Sequence, residues 1–168
     1  MKNRSVNILI VALLLLALMS VMILVFLEKA HDDFPKDITV VEDGVTESLL
    51  PIRDLKLNPT ESKEYSVNLY CAASGSYYIY LDYEETEDGG MKHFVDVTVK
   101  ANDTVVYEGK LDKLIDDPNE IIQFEGELNA KSKDPFVISI TYLMPREIGN
   151  EAQGTYSDFD IHLTIKKT

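Results

Sequence analysis

Three polar residues near the C-terminus have types and a spacing suited to binding a metal ion. Asp158, Asp160 and His162 alternate with the apolar residues Phe159 and Ile161. Because successive side chains of a β-strand point to opposite faces, the three are predicted to share the outward face of one strand, within reach of a single ion. The same pattern is typical of a solvated strand face, and we favour that interpretation.

A second acidic group precedes the glycine pair Gly89-Gly90, which predicts a hairpin after a tyrosine-rich strand. Calcium favours several carboxylates on a flexible loop that contains glycine, so calcium is the one cofactor this group suggests. The EF-hand spacing is absent, which favours an ordinary solubilising hairpin. The four carboxylates belong to Glu84, Glu85, Glu87 and Asp88.

No motif brings together the residues that hydrolysis requires. A zinc hydrolase needs three protein ligands and a general base, commonly supplied by H-E-x-x-H on a helix. The sequence lacks this motif, and its histidines, His31, His93 and His162, are scattered. The single cysteine, Cys71, cannot form an internal disulfide and falls on the apolar side of a predicted strand. We therefore expect no enzymatic activity and assign no catalytic residue.

The N-terminal region contains an apolar run, Val6 to Leu27, that is long enough to cross a bilayer with ~20 helical residues. A cleaved signal peptide is the alternative, and the small residues from Ala17 to Ser20 keep it open. The apolar region of such a peptide is usually only ~7–15 residues and ends at small residues, whereas this run ends at Glu28. We favour an uncleaved anchor.

Charge predicts how the chain is oriented and which partners it avoids. Lys2 and Arg4 precede the apolar run, which places the N-terminus in the cytoplasm. Residues 1–30 are predicted to be a cytoplasmic tip and transmembrane signal-anchor, 31–36 a juxtamembrane linker and 37–168 an extracellular domain. The whole chain carries -13; residues 1–30 hold three basic residues and one acidic residue, or +2, which leaves -15 for residues 31–168. Such an acidic surface repels phosphate backbones, so no nucleic acid partner is expected.

Alternation of apolar and polar residues indicates β-strands throughout the exterior part. About eight short strands, each with one apolar face, bury those faces only against a second sheet, which predicts an all-β antiparallel sandwich of jelly-roll or Ig-like strand order. Gly44 to Arg53 is predicted to be a loose connection, and Lys110 to Ile115 a single helical turn. The predicted strands cover 38–41, 55–57, 66–71, 77–83, 95–99, 104–107, 122–128, 136–142 and 159–165.

The segment "MPREIGNEAQGTYSDFDI", residues 144–161, joins the last two predicted strands and is expected to fold on itself. It resembles the C-terminal signature of the camelysin and TasA family of exported Gram-positive proteins, L-P-x-x-A-G-N-x-Y-Q-G followed by a final F-x-I or F-x-L strand. Ile148 and Ala152 depart from that pattern. The matching residues of this signature loop are Pro145, Gly149, Asn150, Gln153, Gly154 and Phe159.

The resemblance implies a jelly-roll-like sandwich with a structural or adhesive role at the cell surface or in the biofilm matrix. TasA-like members form matrix fibres in which a strand of one subunit completes the sandwich of the next. Here Asp37 to Asp43 is the segment suited to such strand addition, although pairing within its own domain is favoured. An uncleaved anchor favours tethering or nucleating fibres over forming their bulk. The implied partners are the lipid bilayer, through the N-terminal helix, and surface or matrix proteins.

Two other functions remain open. Tyr78 and Tyr80 share the less buried face of their strand, so a metal- or glycan-binding surface module is the first alternative, although cross-strand packing explains these tyrosines equally well. Camelysin is described as a surface metalloprotease, which makes a protease a distant second alternative.

Overall fold

The structure is a computed structural model that describes residues 34–168. The predicted membrane segment within residues 1–30, and His31, lie outside the described residues. Within residues 34–168 no helix is long and apolar enough to cross a membrane. This part of the chain forms one compact unit.

The described residues form an all-β fold with short helical turns between the strands. A single-turn helix, α1 (Leu111–Asp116), matches the predicted turn, and two 3-10 turns cover Met91–Phe94 and Asn150–Ala152. The strands are β1 (Asp37–Val40), β2 (Val45–Leu55), β3 (Ser62–Cys71), β4 (Gly75–Gly89), β5 (Asp96–Ala101), β6 (Thr104–Lys110), β7 (Ile122–Leu128), β8 (Phe136–Leu143) and β9 (Tyr156–Lys167).

The strands form two sheets, which confirms the predicted sandwich. One sheet has the order β1-β3-β8-β5-β6 and the other β2-β9-β4-β7. The pairs are nested: β2 pairs with β9, β3 with β8, β4 with β7 and β5 with β6, all antiparallel. β1 is the exception to the predicted antiparallel pairing, because it pairs parallel to β3.

The apolar faces of both sheets meet in one core. The three largest fully buried side chains are Tyr77, Tyr142 and Phe159, and the Phe159 ring contacts both Tyr83 and Tyr142 with centroids 5.8 and 5.6 Å away. Cys71 is half-buried against this core, on the side predicted for it. Phe34 is also buried and lies 5.1 Å from the ring of Tyr65, so the packed unit includes a residue that precedes β1.

Two segments differ most from the sequence expectation, and of the predicted strand 55–57 only Leu55 lies in a strand, as the last residue of β2. The predicted loose connection from Gly44 to Arg53 is wrong: it forms most of the eleven-residue strand β2, whose Leu50 and Ile52 are fully buried. The acidic group from Glu84 to Asp88 lies within β4 instead of in a hairpin loop, because these residues pair with β9. In both cases pairing with β9 stabilises an extended backbone whose own composition is weakly β-forming.

Candidate functional site

The acidic residues of β9 lie on the outward face of its sheet, as the alternation predicted. Phe159 and Ile161 are buried, whereas Asp158 and Asp160 are half-buried and His162 is exposed. On the neighbouring strand Glu84 lies opposite Asp160. Its Oε2 atom is 2.9 Å from Nε2 of His162, so the two predicted acidic groups meet across the β4–β9 pair.

These side chains are already engaged by protein groups. Nη2 of Arg53 donates to Oδ1 of Asp160 at 2.5 Å, and the backbone N–H of Asp54 donates to Oδ1 of Asp158 at 2.7 Å. Within residues 34–168 no group of three or more histidine, cysteine, aspartate or glutamate side chains is arranged to hold a metal ion. The geometry therefore supports cross-strand pairing, and metal or calcium binding stays a prediction.

The remaining acidic residues of β4 divide between the two faces of the sheet. Glu87 lies opposite Asp158 and accepts a hydrogen bond from the hydroxyl of Tyr156. Glu85 and Asp88 instead point to the inner side, where both contact the ammonium group of Lys92, at 2.8 and 3.6 Å. The outer and inner carboxylates therefore do not form one site.

Lys92 is a buried cation at the centre of an ionic cluster that the sequence did not indicate, and its carboxylate partners are partly exposed. Its side chain is only 6% exposed, and Nζ also donates to Oδ1 of Asp116 at 2.9 Å. Burial alone lowers the pKa of Lys92, but the hydrogen bonds to Asp116 and Glu85 outweigh it and hold the pKa above its usual value. Oε1 of Glu85 is buried and has no hydrogen-bond partner in this part of the chain. No alternation marks Lys92, so only the three-dimensional structure reveals its burial.

The signature loop folds on itself as predicted. The N–H of Ile148 donates to Pro145 O, that of Gln153 to Asn150 O and that of Thr155 to Ala152 O, which makes a series of turns. Ala152 is buried beneath these turns. The side-chain amides of Asn150 and Gln153 were expected to pair with backbone groups, but both residues are exposed and no such bond occurs among the described residues.

Residues of the signature loop form one wall of a cleft of about 400 Å³. The opposite wall is the turn from Asn58 to Glu61, and buried Leu57 and Ala152 lie at the base. The turn is fixed to the end of β8, since Thr60 N–H donates to Met144 O and Met144 N–H donates to Glu61 O. Gly149, Asn150, Gln153 and Gly154 line the cleft, whereas Phe159 is buried in the core.

β1 lies at the edge of the five-stranded sheet and pairs with its own domain, as we favoured from the sequence. Ile38 and Val40 are its two buried side chains, and Val40 lies opposite Cys71. The backbone N–H of Asn68 donates to Lys36 O at 2.7 Å, and its amide donates to Oδ1 of Asp37 at 2.8 Å.

The exposed connection from Val41 to Gly44 carries the chain from β1 to the other sheet. Gly44 has φ of +105°, and apart from its chain neighbours no atom of residues 34–168 lies within 4 Å of where a Cβ would stand. This conformation favours glycine, and the surrounding space is open. The connection between the two sheets is therefore short, solvated and lightly packed.

Comparison with known proteins identifies no family, because no family model and no curated protein matches the chain. Solved structures that resemble it include the periplasmic g-type lysozyme inhibitor PliG of Aeromonas hydrophila, 10% identical over 79% of this chain and 99% of that chain, with a TM-score of 0.34. PliG of Salmonella Typhimurium is 13% identical over 78% and 98%, with a TM-score of 0.26. Latent PorU of Porphyromonas gingivalis is 12% identical over 76% of this chain but only 13% of that chain, with a TM-score of 0.32. Likeness at these TM-scores supports no argument about fold or function.

Proposed function

We propose that the chain is a membrane-anchored surface protein of structural or adhesive role, with its sandwich domain outside the cell, where it tethers or nucleates matrix fibres by strand addition. The observation that supports this function is β1, a four-residue parallel strand at a sheet edge that joins the rest of the domain through the Val41–Gly44 connection. The apolar run of residues 6–27 supports the anchor. The role needs no catalysis, and His93 and His162 have separate carboxylate partners, Asp112 and Glu84.

We also assign the sandwich to the jelly-roll class. Its support is the nested pairing of β2 with β9, β3 with β8, β4 with β7 and β5 with β6, which results when one long antiparallel ribbon wraps into two sheets. An Ig-like sandwich instead places its strands in ABED and CFG sheets. The jelly-roll assignment agrees with the resemblance of the signature loop to the camelysin and TasA family.

Exchange of β1 between copies has to release three buried side chains, Phe34 just before the strand and Ile38 and Val40 within it. Their burial contributes about 1.5–3 kcal/mol for each side chain. A β1 from a second copy would restore the same contacts, so exchange costs mainly the entropy of association and the opening of the Val41–Gly44 connection. If each copy donates its β1 to the next copy, the copies form an open, head-to-tail assembly.

Disulfide trapping in the full chain tests this function. Val40 and Cys71 lie opposite each other in register, so Val40→Cys creates a pair that oxidation can join. If β1 stays in its own domain, the disulfide is intramolecular; if β1 exchanges, it links two copies. We expect covalent dimers and longer ladders on non-reducing gels, in a proportion that rises with protein concentration.

The matched control is Thr39→Cys, one residue earlier in β1. Thr39 lies opposite exposed Tyr70 and points away from Cys71, so the introduced thiol is exposed and joins copies only by collision, which should give dimers but no longer ladder. Equal ladders from the two variants would indicate random collision between thiols and would overturn strand exchange. Only intramolecular disulfides of Val40→Cys at every concentration would overturn it as well.

A further inference from the structure

The cleft between the Asn58–Glu61 turn and the signature loop has the size and chemistry of a site for a small polar molecule. Its volume of about 400 Å³ lies within the ~300–1,000 Å³ usual for small-ligand sites. Its base is apolar, with Leu57 and Ala152 buried, while its rim is polar. We propose that this cleft binds a short saccharide, in a role that does not depend on exchange of β1.

One wall offers hydrogen-bonding groups that have no partner among residues 34–168. Asn150 and Gln153 are exposed at the rim, and the loop is held by its backbone, through Gln153 N–H to Asn150 O and Thr155 N–H to Ala152 O. Each side-chain amide both donates and accepts. A sugar hydroxyl also does both, so two amides on a fixed loop complement neighbouring hydroxyl or acetamido groups of a saccharide.

The facing wall offers an oriented acceptor. Oε2 of Glu61 accepts hydrogen bonds from the backbone N–H of Asn58 at 2.9 Å and from its side-chain amide at 2.8 Å. These bonds lower the pKa of Glu61, so it is a carboxylate at neutral pH. The second carboxylate oxygen is left to accept a hydrogen bond from a hydroxyl group, while exposed Pro59 provides apolar surface for the C–H groups of a sugar ring.

In the wall formed by the Asn58–Glu61 turn, Thr60 has a strained backbone conformation that neighbouring hydrogen bonds maintain. Thr60 has φ of +72°, a conformation that β-branched residues rarely adopt. It is held there by the hydrogen bonds from Thr60 N–H to Met144 O and from Glu61 N–H to Asn58 O, both 2.9 Å long. A wall held in place loses little entropy on binding a ligand.

Charge and composition favour a neutral saccharide over other small ligands. Glu61 and the net charge of -13 disfavour an anion, and Lys56, which also lines the cleft, has its charge paired with Asp54. A metal ion is disfavoured because the described residues place no three suitable side chains together. A neutral, hydroxyl-rich molecule can form hydrogen bonds with the side-chain amides of Asn150 and Gln153 and is not repelled by the acidic surface.

The test is a titration of the ¹⁵N-labelled full chain in phosphocholine micelles, since maltoside detergents would present a sugar of their own. The two probes are cellobiose and N,N′-diacetylchitobiose, β-1,4 disaccharides that differ in their acetamido groups. We expect saturable shifts of the side-chain amide signals of Asn150 and Gln153 with at least one probe. Response to chitobiose alone would show that the acetamido group is recognised, and response to both that hydroxyl groups suffice.

Variants distinguish the cleft from unspecific binding. Loss of one hydrogen bond should weaken binding about 3- to 10-fold for Asn150→Ala and for Gln153→Ala. Gln123→Ala removes an exposed amide from β7, outside the cleft, and should leave affinity unchanged. Backbone spectra confirm that each variant is folded. Absence of saturable shifts with both probes overturns the proposal, as does binding that Asn150→Ala and Gln153→Ala leave intact.

Discussion

At the scale of single residues, the cluster around Lys92 joins β4, α1 and β9 near the C-terminal end of β4. Its ammonium group binds Glu85 in that strand and Asp116 in α1, and its backbone N–H donates to the buried hydroxyl of Ser157 in β9. A buried charge is tolerated only when it is paired and hydrogen-bonded. The cluster therefore fixes the turn after β4 against α1 and β9.

Removing the charge of Lys92 should leave its carboxylate partners uncompensated. We expect Lys92→Met to lower the free energy of unfolding by about 2–3 kcal/mol, less than a fully buried pair would cost because Asp116 is more than half exposed. Urea denaturation at neutral pH measures the change. Lys63→Met, at an exposed position of β3, is the control and should change stability by less than about 0.5 kcal/mol.

A second variant separates charge from packing. If the loss arises from the unpaired carboxylate of Glu85, whose Oε1 already lacks a partner, then adding Glu85→Leu to Lys92→Met should recover part of the stability. An additive loss in the double variant would instead show that Lys92 and Glu85 contribute independently, contrary to the pairing seen here.

At the scale of elements, alternation located most strands because each has one face in the core. It placed Asp158, Asp160 and His162 correctly on the outward face, since buried Phe159 and Ile161 fix the orientation of β9. It could not show that Arg53, 107 residues away, binds Asp160. β2 was missed because Pro51 and Arg53 interrupt its pattern, and a proline is tolerated there only because β2 is an edge strand.

The acidic end of β4, residues 84–89, is extended because it pairs with β9. Its last residue, Gly89, lies opposite Tyr156, and a Cβ added to Gly89 would stand 2.5 Å from both the backbone oxygen and the ring Cδ1 of that tyrosine. Gly89→Ala should therefore separate β4 from β9 at this end and lower stability by about 2–3 kcal/mol. Thermal unfolding and amide exchange of residues 84–89 measure the loss.

The control for that prediction is a glycine of the signature loop. No atom of residues 34–168 apart from its chain neighbours lies within 4 Å of a Cβ added to Gly149, so Gly149→Ala meets no clash, and the strain of its unusual ψ of -136° should lower stability by only about 1 kcal/mol. Equal effects of the two substitutions would contradict the close approach of Tyr156 to Gly89.

At the scale of the whole molecule, the strand order joins segments from opposite ends of the chain. β2 pairs with β9 and β3 with β8, so local sequence patterns cannot specify which strands meet. The sequence therefore predicts two packed sheets but leaves their order open. The parallel pairing of β1, the cleft and the Lys92 cluster all depend on this long-range order, which explains why sequence patterns did not indicate them.

The core also contains ionisable groups whose titration changes the stability of the whole fold. The hydroxyls of Tyr83 and Tyr142 are 3.5 Å apart, and burial raises the pKa of both. The pKa of Lys92 is also raised, because its hydrogen bonds to Asp116 and Glu85 outweigh its burial. In each case the folded state holds its proton more tightly than the unfolded chain, whose tyrosines and lysines have pKa values of 10.0 and 10.5.

A raised pKa in the folded state contributes stability that is fully present below the unfolded pKa and is lost as pH rises above it. We therefore expect these three groups to have little effect on the free energy of unfolding up to about pH 9. Their ionisation should lower it by about 1–3 kcal/mol by about pH 11. Urea denaturation at a series of pH values measures this slope, and tyrosinate absorbance follows ionisation. Tyr83→Phe removes one of the groups and should make the slope shallower, whereas Tyr70→Phe changes an exposed tyrosine and should not. An unchanged slope in Tyr83→Phe, or complete ionisation of the tyrosines near pH 10 without unfolding, would contradict the buried pair at the centre of the sandwich.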